Sequence, residues 1–331
     1  MARRSIAFLC FLAATFSLSG SEGLPEKVSL KVHGSAVRLL ITGDAGATHS
    51  HLRAGILAVQ RLQPIDAIVL VGDNIYQCGV SSTNDPQWSK ITEHFGPAQV
   101  PIFPVLGNHD YGDPDAQRRK SAQCAQFATD PMAEIHATGV VPNWIFPYEN
   151  YVVTTQFSDL LMIDTEPVAM NFTSPFLGSG TSASVTDWLH AHLQASTKPW
   201  RIVVGHHTIY SSGMHGRTNG FDQHNMRKLL PMLENEKVDL YICGHDHDLE
   251  LIGDLHHHKG PMFLVSGAGS GLDEMRARKP KALKTEPPTL FPDPVAPMYG
   301  FAVLEIESSR LIITFYDQAG VAQKHPFVIE K

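Results

Sequence analysis

The sequence predicts an α/β fold in which buried strands deliver polar side chains to one site. Three observations carry this reading. First, five apolar runs stop at a glycine followed by a carboxylate, amide or imidazole: Ile41-Thr42-Gly43-Asp44, Leu70-Val71-Gly72-Asp73-Asn74-Ile75-Tyr76, Val105-Leu106-Gly107-Asn108-His109-Asp110, Val203-Val204-Gly205-His206-His207 and Ile242-Cys243-Gly244-His245-Asp246-His247. Second, the runs are continuous and rich in β-branched residues, as suits strands buried on both faces of a parallel sheet. Third, helical periodicity alternates with the strands in the first two thirds of the chain, and sites of open α/β sheets lie beyond the carboxyl ends of such strands.

Taken in order, Val37 to Thr42 reads as the first strand, ending at Asp44. Ala47 to Leu62 reads as a helix with an apolar stripe at Leu52, Ile56, Val59 and Leu62, stopped by Pro64. Ala67 to Val71 is the second strand, Gln87 to Phe95 a helix, and Ile102 to Leu106 the third strand. Tyr111 to Trp144 has a weak pattern of helix and loop beside the site mouth. Tyr151 to Phe157 and Leu160 to Asp164 form a hairpin turning at Ser158-Asp159. The Ser-, Gly- and Pro-rich stretch Asn171 to Thr181 is a surface loop, and Val185 to Leu193 a helix capped by Ser184. Trp200 to Val204 is a strand, Phe221 to Glu236 a helix, and Val238 to Cys243 a strand. Leu249 to Ile252, Met262 to Val265, Phe301 to Ile306 and Leu311 to Tyr316 follow with no helix between them, which suggests an antiparallel edge. Met275 to Pro297, basic and then Pro-rich, is an irregular excursion.

The chain has 331 residues, 43% hydrophobic and 18% charged, and the junctions spread from Asp44 to His247 must converge, which favours one large domain over 24–331. The formal net charge is -7 and no Lys/Arg run exceeds Arg118-Arg119-Lys120, which argues against a nucleic-acid partner and against a polybasic membrane patch. Arg3-Arg4, the apolar segment Ile6 to Leu18 and small residues from Ser19 to Gly23 have the order of a secretory signal peptide over 1–23, too short in its apolar part to span a bilayer. The expected compartment is therefore secreted, periplasmic or otherwise extracytoplasmic, and no other stretch is long and apolar enough to cross a membrane. Beyond that segment stand Cys78, Cys124 and Cys243. Cys243 lies inside a strand and reads as a small buried hydrophobe. Cys78 and Cys124 lie in loops after site junctions, where an oxidising compartment permits a bridge without requiring one. Asn171-Phe172-Thr173 is a glycosylation sequon in a eukaryotic host.

The residues at the junctions suit metal ions. Hard cations take oxygen ligands and imidazole suits iron and zinc, so Asp44, Asp73, Tyr76, Asn108, His206, His245 and His247 form a mixed set that fills two adjacent sites if one carboxylate bridges. His245 and His247 are two residues apart on an extended strand end and can face the same way. Each residue alone has a plain explanation: Asp44 as a helix cap, Tyr76 as a packed aromatic, a lone His206 or His109 as a hydrogen-bonded structural group. Their recurrence at five strand ends is what favours the metal reading. His207 either lines the pocket or points into the protein, while His49, His51 and the turn His256-His257-His258 read as solvated. Asp110, Asp246 and Asn74 are candidates to orient the ligating histidines through their second ring nitrogens.

The junctions, in order and spacing, resemble the signature of the metallophosphoesterase superfamily and, more narrowly, that of the small, tartrate-resistant purple acid phosphatases. Most of that superfamily places His two residues after the first Asp; here that residue is Gly46, and Tyr76 supplies the ligand instead, as in the purple enzymes. The resemblance implies a four-layer α/β/β/α sandwich of two mixed sheets flanked by helices. It implies iron(III) on Asp44, Asp73, Tyr76 and His247, and a divalent metal (iron, zinc or manganese) on Asp73, Asn108, His206 and His245. Iron(III) plus a divalent ion, less Asp44, Asp73, a Tyr76 phenolate and a bridging hydroxide, leaves about one net positive charge to attract a phosphate dianion.

The implied function is secreted acid phosphatase activity: hydrolysis of small-molecule or protein phosphate monoesters by a metal-bound hydroxide, by a protein expected to act as a monomer. His109 and His215 correspond to the family's two histidines near the leaving group, where a protonated imidazole can give its proton to the departing oxygen. Two alternatives remain at the level of the sequence. One is a phosphodiesterase on the same metal core, separable by comparing a monoester with its diester. The other is a secreted metal- or phosphate-binding protein without turnover.

Overall fold

The computed structural model describes residues 26–47, 52–112, 124, 128–171, 182–217, 221–255, 260–271, 288–291 and 298–331. The proposed signal segment, the sequon's Phe172 and Thr173, the 172–181 loop, His49, His51, His256-His257-His258 and most of the 275–297 excursion lie outside these residues.

One sheet carries six strands: β2 (Val37–Thr42), β3 (Ala67–Leu70), β4 (Ile102–Pro104), β12 (Gly300–Ile306), β13 (Arg310–Asp317) and β14 (Ala322–Glu330), in the order β14-β13-β12-β2-β3-β4. The other carries eight: β1 (Lys27–Ser29), β5 (Tyr151–Thr154), β6 (Ser158–Met162), β7 (Trp200–Val204), β8 (Leu240–Cys243), β9 (Leu249–Ile252), β10 (Met262–Ser266) and β11 (Thr289–Phe291), in the order β1-β5-β6-β7-β8-β10-β9-β11. Both sheets are mixed. β2, β3 and β4 run parallel in the first, as do β6, β7, β8 and β10 in the second, whereas β12 to β14 and β9 pair antiparallel. The late strands thus supply antiparallel neighbours to both sheets rather than one shared edge.

Seven α-helices stand among the described residues: α1 (Arg53–Leu62), α2 (Ser89–His94), α3 (Pro131–His136), α4 (Glu166–Met170), α5 (Ser182–Ala195), α6 (Phe221–Met226) and α7 (Leu230–Asn235). Side chains of the eight-stranded sheet alternate between two cores, as the period of two along a strand demands. Leu160, Met162, Ile202, Val204, Leu240 and Ile242 share a core with Leu39, Leu40, Ile41 and Val69 of the six-stranded sheet and with Ile56 and Val59 of α1. Leu161, Val203, Tyr241, Cys243 and Val265 pack instead under Val168, Val185, Leu189, Met226 and Leu233 of α4 to α7. The result is two facing mixed sheets flanked by helices, the expected sandwich.

Local chemistry moved several boundaries. The hairpin turn falls at Thr155 to Phe157, not at Ser158-Asp159, because the Thr155 hydroxyl accepts hydrogen bonds from the amides of Phe157 and Ser158 and lets Ser158 enter the strand. Ser184 lies inside α5 rather than capping it. The predicted helix over Phe221 to Glu236 is two helices joined by a 3₁₀ turn at Arg227–Leu229, with Pro231 placed in the first turn of α7 where its missing N–H is harmless. Leu62, assigned to the apolar stripe of α1, is 80% exposed because the chain turns extended at Gln63.

Candidate metal centre

The five junctions meet where the carboxyl ends of β2, β3 and β4 face those of β7 and β8. Backbone bonds lock the ends together: Gly43 N donates to Ser266 O (2.7 Å), Asp44 N to Gly72 O (3.0 Å) and Gly244 N to His206 O (3.0 Å). Gly72 has φ +91°, and a Cβ there would sit 2.5 Å from His206 Nδ1, so both the turn and the approach of the two sheets require glycine. Asp44, Asp73 and His245 have φ of 55°, 50° and 70°, a left-handed backbone uncommon outside glycine. Strain of this kind gathers where surrounding structure fixes a functional geometry.

The seven candidate ligands fall into two groups. In the first, the Tyr76 hydroxyl lies 3.0 Å from Asp44 Oδ1, 2.9 Å from Asp73 Oδ2 and 3.0 Å from His247 Nε2. In the second, Asn108 Oδ1 lies 3.1 Å from both His206 Nε2 and His245 Nδ1, which are 3.2 Å apart. Asp73 joins them, its Oδ1 standing 3.4 Å from His206 Nε2. Oxygen and nitrogen ligands at about 2.0–2.2 Å from one ion are themselves roughly 3 Å apart, so the donor spacing and the O/N chemistry both fit two adjacent cations.

The charge balance fits as well. Asp44 and Asp73 are buried and face histidines, His247 beside Asp44 and both His206 and His109 beside Asp73. Burial alone would raise the Asp73 carboxyl, but His206, His109, the His109 amide and the Tyr76 hydroxyl bring it to about 2. Burial and then the charges of Asp44 and Asp73 push the Tyr76 phenol well above its ordinary range, so a phenolate there needs a cation beside it. Burial, with His215 next, drives His245 well below the usual imidazole range, which leaves its ring neutral as a metal ligand must be.

The groups expected to orient the histidine rings do something else. Asp110 accepts from the amides of Asn74 (2.9 Å), Ile75 (3.2 Å) and Gly107 (2.9 Å), pinning the β3 and β4 loops to each other. Asn74 donates its side-chain amide to Val105 O and to Glu134 Oε2, beneath the same loops. Asp246 accepts from the amides of His215 (2.8 Å) and Gly216 (3.3 Å). The rings are oriented elsewhere: His206 Nδ1 donates to Val71 O (2.8 Å), and His245 Nε2 lies 3.2 Å from Asp222 Oδ2. His207 points into the protein, its ring between Thr165 Oγ1 (2.9 Å) and Glu166 Oε2 (3.3 Å).

The two histidines expected near the leaving group, His109 and His215, border the donor groups. His109 Nδ1 donates to Gln77 O (2.7 Å) and its Nε2 lies 3.9 Å from Asp73 Oδ2. The His215 ring lies against that of His245, centroids 3.8 Å apart, with Nδ1 3.4 Å from Asp222 Oδ2. Cys78 and Cys124 form a disulfide next to Gln77, and Cys243 is free and buried.

Sequence reasoning missed Asp222 and the segment Gly267 to Gly271. Asp222 stands in a helix with no neighbouring motif and could not have been singled out. The glycine segment follows the strand β10 with the same apolar-then-glycine change as the five junctions. Ser270 Oγ donates to Asp44 O, and a Cβ on Gly271 would meet His247 Nδ1 at 2.2 Å.

Comparison with known proteins agrees with the architecture. The sequence model of the calcineurin-like phosphoesterases matches residues 37–249. Purple acid phosphatase 7 of Arabidopsis thaliana is 31% identical over 95% of this chain and 92% of that protein, and human tartrate-resistant acid phosphatase type 5 is 26% identical over 77% and 76%. Among solved structures, GAP50, the anchor in the inner membrane complex of Plasmodium, superposes with a TM-score of 0.66 at 23% identity, covering 90% of this chain and 89% of that one. Purple acid phosphatase PPD1 of yellow lupin gives 0.63 at 20% identity, over 90% of this chain and 54% of that one. Those two likenesses bear on the fold. By its sequence matches, the chain belongs to the calcineurin-like phosphoesterase family and, within it, to the purple acid phosphatases, which are phosphoric monoester hydrolases.

Proposed function

We propose that this protein is an extracytoplasmic acid phosphatase that hydrolyses phosphate monoesters at a binuclear centre of iron(III) and a divalent metal. The observation that carries the reading is the position of the Tyr76 oxygen, within 3.0 Å of donor atoms of Asp44, Asp73 and His247, while Asp73 also faces the Asn108, His206 and His245 group. The Tyr76 side has the oxygen-rich donors suited to iron(III), and the other side has two imidazoles and an amide oxygen suited to iron, zinc or manganese. Bound there, the two metals would supply an activated water and positive charge for the phosphoryl oxygens.

The rest falls to the chain's own side chains. His109 donates from Nδ1 to Gln77 O and so presents its other ring nitrogen towards Asp73. His215, with Nδ1 against Asp222, presents Nε2 as the atom that can hold a proton for the leaving oxygen. The Cys78–Cys124 disulfide and the signal-like 1–23 segment both support an oxidising, extracytoplasmic setting, with 24–331 as one catalytic domain.

Metal analysis and a visible absorption spectrum of the purified protein test the reading. Two metals per chain, one of them iron, a visible band lost in Tyr76→Phe, and faster turnover of a phosphate monoester than of its diester are expected. Tight phosphate binding by metal-loaded protein without hydrolysis would refute it.

A further inference from the structure

One carboxylate touches both the candidate acid and a candidate metal ligand. Asp222 lies at the second position of α6, and its Oδ2 stands 3.4 Å from His215 Nδ1 and 3.2 Å from His245 Nε2. The two imidazoles lie with centroids 3.8 Å apart and planes 43° from each other, so the carboxylate closes a triangle with the paired rings. Donor atoms of the three residues all lie within 4.8 Å of one another.

We propose that Asp222 is a positioning residue that fixes His215 and His245 together, so that the leaving-group histidine is registered to the second metal through a single carboxylate. The inference rests on the metal-centre reading given above. His245 turns Nδ1 to Asn108 and His206, so its proton belongs on Nε2, and an acceptor at Nε2 selects that tautomer and fixes the ring plane. The same oxygen faces Nδ1 of His215, which fixes the rotation of that ring and assigns to Nε2 the proton that a leaving oxygen would take. The His215 backbone is held separately, by its amide bond to Asp246 (2.8 Å). Asp246 therefore places the main chain, and Asp222 aims the ring. A carboxylate that served only the metal ligand would have no reason to sit between two imidazoles.

Two substitutions test this: Asp222→Ala, which removes the acceptor, and the near-isosteric Asp222→Asn, whose amide oxygen can serve one ring but carries no charge. Protein stripped of its second metal is titrated with Zn²⁺, and kcat is measured on an alkyl phosphate, whose leaving group needs a proton, and on p-nitrophenyl phosphate, whose leaving group does not. In Asp222→Ala the Zn²⁺ Kd is expected to rise about 10–100-fold. The alkyl-phosphate kcat should fall more than the p-nitrophenyl phosphate kcat, Asp222→Asn should lie between Asp222→Ala and the unaltered protein, and the visible band from Tyr76 should persist in both variants. If Asp222→Ala misfolds, Asp222→Asn alone carries the comparison. Zn²⁺ affinity within twofold of the unaltered protein, together with an unchanged ratio of the two kcat values, would overturn the role of Asp222 and leave the metal centre standing. Unaltered protein that binds neither iron nor zinc would instead bring down the reading on which this inference rests.

Discussion

The Tyr76 hydroxyl lies 2.9 Å from Oδ2 of Asp73, and the other oxygen of that carboxylate lies 3.4 Å from His206 Nε2. Asp73 is thus common to both donor groups, whereas Tyr76 belongs to one. Substitutions at the two positions should therefore differ in how many metals they release. Tyr76→Phe is expected to lose the visible band while keeping the second metal, and Asp73→Asn to lose both. Activity should fall by more than about 10–100-fold in Asp73→Asn, the range that loss of a mere partner of a ligand costs. Iron and zinc counted per chain by elemental analysis checks the contrast; equal losses in the two variants would contradict it.

His109 touches the site from its rim. Its Nδ1 donates to Gln77 O, its amide to Asp73 Oδ1 at 2.9 Å, and its ring meets Tyr76 edge-on with centroids 4.5 Å apart. His109→Ala keeps the amide bond and removes only the ring. The expected result is a loss of about 10²- to 10⁴-fold in kcat on alkyl phosphates, the usual worth of a positioned acid, with both metals retained. A loss confined to metal content would mean that the ring only packs.

What the sequence revealed and what it hid have separate physical causes. Asp44, Asp73, Asn108, His206 and His245 were legible as candidates because each follows an apolar run and a glycine, a local signature of a buried strand that ends in a polar side chain. Asp222 was hidden because its role comes from two rings brought to it by other elements. Strand β14 was hidden for another reason: Pro326 and a mostly exposed pattern argue against a strand, yet β14 forms the edge of its sheet, where proline is tolerated. The tie from Cys78 to Cys124 was left open by the residues and is closed in the structure, 5.4 Å between Cα atoms.

Asp164, two residues beyond β6, gives a stability prediction independent of metals. Burial raises its carboxyl to about 7 against hydrogen bonds from the Tyr111 hydroxyl (2.5 Å) and the Glu166 amide (3.0 Å), with the charges of Glu149 and Asp110 adding to the rise. The folded state therefore holds this proton more tightly than the unfolded chain, whose carboxyl titrates near 3.8. Its contribution is fully present below about 4 and is lost as pH rises through about 7. Asp164→Asn keeps an acceptor for Tyr111 and has no proton to lose. Its Tm relative to the unaltered protein should climb between pH 4 and 8; a constant difference across that range would show that Asp164 titrates normally.

Gly271 tests how His247 is held. The histidine reaches the Tyr76 oxygen with Nε2 (3.0 Å), and behind it the Gly271 backbone leaves no room for a side chain, since a Cβ would stand 2.2 Å from Nδ1 and 2.8 Å from Cε1. Either the ring or the loop must shift in Gly271→Ala, at a cost of about 1–3 kcal/mol for overpacking. If the ring moves, His247 Nε2 leaves the group formed with Asp44 and Tyr76, and iron should dissociate more readily than zinc. If the loop moves, Ser270 should lose its bonds to the Asp44 carbonyl and the Ala47 amide, and stability should drop with iron retained. Because the ring can turn about its two side-chain torsions while the loop is tied at Ser270, the first outcome is expected: a visible band weakened in proportion to iron lost, with a smaller change in Tm. An unchanged band and unchanged iron content would show that Gly271 does not set the position of His247.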